Sequence, residues 1–248
     1  MALRLASGAG QPGRKALHRL PAAPGLARPV TRCVALLGGS FDPVHHGHVA
    51  LAELFARQLH PDELRVLPAG QPWQKQRGLE AGDADRVAML ELAFAGSSAP
   101  VTIDTREIDR HGATYTVETL RGLRAELGPD TSIVFVMGAD QLQKLDTWRD
   151  WRDLFALANF GVAARPGYRL DDAALPPAVA AELAQRRASF DDVRASPAGK
   201  VCLAHTLAID ISATQVRAAL HAEPRTDISA LVAPQVLDYI QQHNLYKN

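Results

Sequence analysis

Gly38-Gly39-Ser40-Phe41-Asp42-Pro43-Val44-His45-His46-Gly47-His48 follows the apolar run Cys33-Val34-Ala35-Leu36-Leu37 and precedes a segment where Val49, Ala52, Phe55, Ala56 and Leu59 recur at helical spacing. A run this short, ended by two glycines, reads as a buried parallel strand rather than a helix. The quoted stretch therefore joins a strand to the N-terminus of a helix, the first half of a βαβ unit. Glycine lets the backbone approach a ligand closely, and a helix start offers unpaired N–H groups and a positive dipole end to a phosphate. Two imidazoles beside such a turn, His45 and His48, can donate hydrogen bonds to phosphoryl oxygens as charge builds in a transition state. A turn that merely needs glycine is the plain alternative. Zinc is another, but no neighbouring cysteine or carboxylate pattern completes a ligand set.

Downstream, the same alternation continues. Leu64–Leu67 and Val101–Ile103 read as strands separated by a helix over Ala84–Ala95, and Val117–Leu127 reads as a helix stopped by Gly128-Pro129. Ile133-Val134-Phe135-Val136-Met137 is apolar throughout, as a strand covered on both faces should be, and belongs near the sheet centre. Trp148, Trp151, Leu154, Phe155 and Leu157 suggest a helix, Phe160–Ala164 a strand, and Val201–Ala204 a last strand before a helical C-terminal part. Residues 168–199 have weak periodicity and give no clear reading. Strands alternating with helices predict an α/β fold with a doubly wound parallel sheet, which binds its ligands beyond the carboxyl ends of the strands.

The 248-residue chain is long enough for one large core and short for two ordinary domains. Six of its 27 basic residues, Arg4, Arg14, Lys15, Arg19, Arg28 and Arg32, lie in an acid-free start, leaving 21 against 27 acidic residues in the remainder. That balance gives no reason to expect a nucleic-acid partner. Residues 1–30 are rich in Ala, Arg, Gly and Pro and are expected to be a disordered extension, with residues 31–248 forming the folded domain; an organelle transit peptide is the alternative for the extension. Cys33 and Cys202 are the only cysteines, which fits a reducing compartment, and no apolar run approaches the length of a membrane span. A cytoplasmic location without membrane partners is expected. Oligomeric state is not readable.

With Gly39–His48, Tyr115-Thr116 before a helix, Gly138-Ala139-Asp140 after the central strand, Thr147-Trp148, Arg165-Pro166-Gly167 and Ile211-Ser212-Ala213-Thr214-Gln215-Val216-Arg217, the sequence resembles the His-x-Gly-His nucleotidyltransferases, and specifically the bacterial nicotinate-nucleotide adenylyltransferases. The likeness runs from about Cys33 to Tyr246 and implies a Rossmann-like nucleotidyltransferase fold. It departs from the family at Pro72-Trp73-Gln74-Lys75, where many relatives read Pro-Pro-His and a base, and at Arg149, where a second aromatic is common. Ser212 followed by Gln215 is also a capping box by residue type alone, which sets Ser212, Thr214 and Arg217 around a second helix start. Arg217 there can offer a planar fork of donors to phosphate, or it can be a surface arginine on an ordinary capped helix.

The resemblance implies transfer of AMP from ATP to nicotinate mononucleotide by in-line attack, with release of pyrophosphate and with Mg²⁺ held mainly by the ATP phosphates. It assigns His45, His48 and Arg217 to catalysis. ATP contacts fall to these three and to Gly38, Gly39, Ser40, Phe41, Gly138, Asp140, Ser212 and Thr214. Thr116 and Trp148 match the family's nicotinate pocket, and Lys75 and Arg165 its basic phosphate contacts. By residue type, Asp140 could equally cap a helix, Trp148 could be core, and the two bases could be solvated surface charges. Another phosphorylated acceptor, nicotinamide mononucleotide or phosphopantetheine, is the alternative within the enzyme class. A nucleotide-binding regulator without turnover is the alternative outside it.

Overall fold

The computed structural model describes residues 30, 32–72, 78–110, 112–164, 175–204, 209, 211–222 and 227–247. The expected extension, apart from Val30, lies outside them. The quoted stretch sits between β1 (Arg32–Gly39) and α1 (His46–Leu59), as a strand-to-helix loop. After it come β2 (Glu63–Pro68), the two-residue β3 (Gln71–Pro72), α2 (Asp83–Phe94), β4 (Val101–Ile103), the two-residue β5 (Ala113–Thr114) and α3 (Thr116–Leu127). The second half comprises β6 (Thr131–Gly138), α4 (Ala139–Leu142), α5 (Leu154–Leu157), β7 (Asn159–Ala163), α6 (Pro177–Arg186), α7 (Phe190–Arg194), β8 (Val201–Ala204), α8 (Ala213–His221) and α9 (Pro234–Gln242).

Six strands form one parallel sheet in the order β4-β2-β1-β6-β7-β8, and β3 pairs with β5 in a separate short ribbon. The chain winds outward from β1 to one edge, then returns to β6 and winds to the other. The gap between the carboxyl ends of β1 and β6 is thus the switch point where an open α/β sheet holds its ligand. As expected, Ile133–Met137 lies inside β6 near the sheet centre, buried along its whole length.

The near-uniform apolarity of β1 and β6 follows from helices covering both faces. Side chains alternate, so Cys33, Ala35 and Leu37 of β1 and Val134 and Val136 of β6 enter one core with Phe55 of α1, Met89 of α2 and Val236 of α9. Val34, Leu36, Ile133, Phe135 and Met137 enter the other with Leu120 of α3, Leu154 of α5 and Val179 of α6. The layers are close: a Cβ on Gly161 of β7 would lie 2.5 Å from the Phe55 ring, so only glycine admits α1 at that spacing.

Two expectations change. The segment from Trp148 to Leu157 is not one helix: 3₁₀ turns at Leu145–Thr147 and Trp151–Asp153 lead into the single turn of α5, and Asp150 between them has φ +49°, which a continuous helix cannot contain. Residues 175–199, opaque in sequence, contain α6 and α7; these are short, and Ala and charge dilute their apolar stripes.

Candidate active site

Several predicted residues converge at the switch point. Gly38, Gly39 and Ser40 at the end of β1, His48 of α1, Thr116 of α3, Gly138 and Asp140 after β6, and Trp148 line one cavity of about 300 Å³. The size suits a nucleotide-scale ligand. Phe41 and His45 are buried behind this wall rather than on its lining, His45 at 3% exposure. Ser212, Thr214 and Arg217 sit on α8 or at its start, outside the lining. Lys75 and Arg165 lie outside the described residues, as do Trp73 and Gln74.

The two imidazoles take different stations. The His45 N–H donates to His48 Nδ1 at 3.3 Å, the two rings stack at 3.7 Å, and Phe41 meets His48 edge-on at 4.8 Å. With Nδ1 accepting, the proton of a neutral His48 ring belongs on Nε2. Gly47 between them keeps the space open, because a Cβ there would lie 3.0 Å from His45 Nδ1 and 3.3 Å from the Ile211 carbonyl oxygen. The second motif is therefore packed directly on the first.

Ser212 caps α8 as its sequence predicts, its Oγ accepting from the Gln215 N–H at 3.2 Å while Gln215 Oε1 accepts from the Ser212 N–H at 2.7 Å. One turn on, Arg217 Nη1 donates to the Asp42 carbonyl at 2.6 Å and Nε pairs with Glu80 at 2.8 Å. Asp140 lies in the first turn of α4, whose N-cap is Gly138, and Gln141 Nε2 donates to its Oδ2 at 2.9 Å. Thr116 opens α3 behind Tyr115 as N-cap, so its hydroxyl is not used as a cap. The tryptophans divide: Trp151 is core at 8% exposure, whereas Trp148 walls the cavity edge-on to Phe135 at 6.1 Å. Arg149 lies over the Tyr115 ring at 4.7 Å and pairs with Glu118.

Sequence reading assigned no role to Asp42, Tyr246, Arg86 or Glu107, which support the site. The Asp42 carboxylate accepts from the Glu80 and Ala81 N–H groups and from the Tyr246 hydroxyl, tying the loop to two distant segments. Arg86 is fully buried and donates to the Ser40 carbonyl at 2.8 Å and to Asp83 at 2.5 Å, so it braces the glycine loop from below. A signal existed, because Arg86 falls on the apolar stripe of α2 with Met89, Leu90 and Phe94. Glu107 lines the cavity beside Thr114 and Thr116 and accepts from Thr119 Oγ1 at 2.7 Å; burial pushes its carboxyl pKa up. Its loop has no local pattern that would have marked it.

The cytidylyltransferase-like family model matches residues 36–219, from β1 through α8. The probable nicotinate-nucleotide adenylyltransferase of Herminiimonas arsenicoxydans is 54% identical over 219 residues, covering 88% of this chain and 99% of that protein. Its counterpart from Chromobacterium violaceum is 45% identical over 214 residues, covering 86% and 98%. Among solved structures, the Plasmodium falciparum nicotinic acid mononucleotide adenylyltransferase complexed with NaAD has the same fold, with a TM-score of 0.66 at 20% identity over 87% of this chain and 97% of that one. With the second motif packed directly on the first, whose glycines and His48 line the cavity, and with relatives matched almost end to end, the chain belongs to the nicotinate-nucleotide adenylyltransferase family.

Proposed function

We propose that this protein transfers the adenylyl group of ATP to nicotinate mononucleotide, forming nicotinate adenine dinucleotide and pyrophosphate in NAD biosynthesis. An acceptor phosphate oxygen attacks the α-phosphorus of ATP, the new P–O bond forms, and the bond to the β-phosphate bridging oxygen breaks. The acceptor brings its own anionic nucleophile, so the protein has to position and to stabilise charge. The observation that carries this reading is His48, fixed through Nδ1 on the wall of the switch-point cavity beside the N-terminus of α1.

In this reading His48 donates from Nε2 to an α-phosphate oxygen as negative charge grows there, and His45 holds that ring in register from beneath. The Gly38-Gly39-Ser40 backbone admits the nucleotide, and Arg217 with the Ser212–Thr214 helix start receives the outer phosphates. Asp140 takes the nucleotide ribose or hydrated metal. Thr116 at the start of α3 and the Trp148 face receive the pyridine ring and its carboxylate, and Lys75 and Arg165 serve the acceptor phosphate. Mg²⁺ fits this donor set. The described residues include no group of three or more His, Cys, Asp or Glu able to hold a metal, and Mg²⁺ is commonly bound by one carboxylate, here Asp140, with phosphates and waters. Bound there, it would neutralise phosphate charge.

No helix among the described residues is long and apolar enough to cross a membrane. The two free buried thiols support a cytoplasmic location. Steady-state pyrophosphate release with nicotinate and nicotinamide mononucleotides side by side tests the function. Efficient, selective turnover of the acid is expected, and failure to release pyrophosphate from ATP with either acceptor would overturn the proposal.

A further inference from the structure

Asp42, Glu80 and Arg217 come from three separate parts of the chain and close a ring of contacts. The Glu80 N–H donates to Asp42 Oδ2 at 2.9 Å, the Glu80 carboxylate takes Arg217 Nε at 2.8 Å, and Arg217 Nη1 returns to the Asp42 carbonyl at 2.6 Å. The other Glu80 oxygen meets His221 Nε2 at 2.9 Å, which sits one helical turn beyond Arg217 on the same face of α8. A guanidinium on a long, rotamer-rich side chain costs entropy to aim. Here Nη1 is hydrogen-bonded and Nε is ion-paired from the protein side, and among the described residues Nη2 has no hydrogen-bond partner. The side chain is 19% exposed, whereas Glu80 is 46% exposed.

We propose that Glu80 is a positioning residue for ATP, acting through Arg217: its carboxylate fixes the guanidinium so that Nη2 faces the phosphates, while its backbone N–H anchors the same arginine's platform at Asp42. This rests on the adenylyl-transfer reading. The contrary possibility is that the carboxylate competes with ATP for Arg217, and it predicts the opposite sign.

Glu80→Gln removes the charge and keeps the backbone contact. It should lower kcat/KM for ATP roughly tenfold, the scale of mis-aiming one phosphate contact, while KM for the acceptor stays within about twofold. In an Arg217→Lys background the same substitution should cost less than about twofold, because the residue it acts through is already gone. Glu80→Asp, which keeps the charge on a shorter arm, should recover part of the loss. Unchanged kcat/KM for ATP, tighter ATP binding, or the same tenfold loss in the Arg217→Lys background would each overturn the proposal. A wild-type protein that releases no pyrophosphate would instead overturn the underlying function, so the two failures are distinct.

Discussion

Gly47, inside the first motif, and Ile211, at the head of the second, are in such close contact that a Cβ on the glycine would stand 3.3 Å from the Ile211 carbonyl oxygen and 3.0 Å from His45 Nδ1. Gly47→Ala has two opposed effects. Alanine improves helix propensity by up to about 1 kcal/mol, while the crowding pushes the His45 ring, and with it His48, out of register. Stability should change little and turnover should fall at least roughly tenfold, since even a small displacement of a catalytic group is costly. A melting curve and a kcat measurement on one preparation decide it; unaltered kcat would show that the contact has no catalytic consequence.

His48→Ala removes the imidazole on the cavity wall but leaves α1 intact. Turnover should drop about a hundredfold or more, on the scale of losing one positioned donor to transition-state charge, with circular dichroism unchanged. Near-normal turnover by the folded variant would remove His48 from catalysis.

Thr116 begins α3 and lines the cavity with Trp148, so a helix start stands where the proposed acceptor would bind. Such a site favours an anionic carboxylate over a neutral amide. Preference for nicotinate over nicotinamide mononucleotide should be at least about tenfold in kcat/KM, which needs only about 1.4 kcal/mol. Thr116→Val should erode that preference more than it weakens ATP binding. Equal efficiency with the two acceptors would place selectivity elsewhere.

Tyr246 is buried and its hydroxyl donates to Asp42 Oδ1 at 2.8 Å; burial, then the Asp42 carboxylate, pushes its phenol pKa far up. The phenol therefore stays protonated, and a donor, at any working pH. Tyr246→Phe should cost about 1–2 kcal/mol for the lost bond to a charged partner, a fall of several degrees in Tm. An unshifted Tm would show that the C-terminal segment does not brace the loop.

Burial pushes the Cys202 thiol up to about 12 and raises Cys33 as well. The thiolate is the reactive form, so at about pH 8 both groups should be neutral in the native protein and alkylate only after unfolding, when the pKa returns to the ordinary range. Rapid iodoacetamide labelling of the folded enzyme at that pH would contradict this environment.

The sheet and both motifs were legible because their signals are local. Apolar runs ended by glycine mark β1 and β6, helical spacing marks α1, α2 and α3, and the Ser212–Gln215 capping box marks α8, whatever the rest of the chain does. Besides α6 and α7, whose apolar stripes Ala and charge dilute, two features were beyond that reach. One is the break at Asp150, whose left-handed backbone splits what Trp148, Trp151 and Leu154 spell as a helix and sends the two tryptophans to different places, one into the core and one to the cavity. The other is the support of the site: Arg86 beneath Ser40 and Tyr246 on Asp42 link residues 46 and 204 positions apart, and Glu80 on Arg217 joins opposite halves of the chain. Sequence by itself determined the six strands of the main sheet, the helices α1, α2, α3 and α8, and the glycine-rich strand-to-helix turn, because periodicity and capping act over a few residues. Only the tertiary structure decided that His48 walls the cavity while His45 lies behind it, and which side chains brace them, because burial and hydrogen-bond partners are set by where distant segments meet.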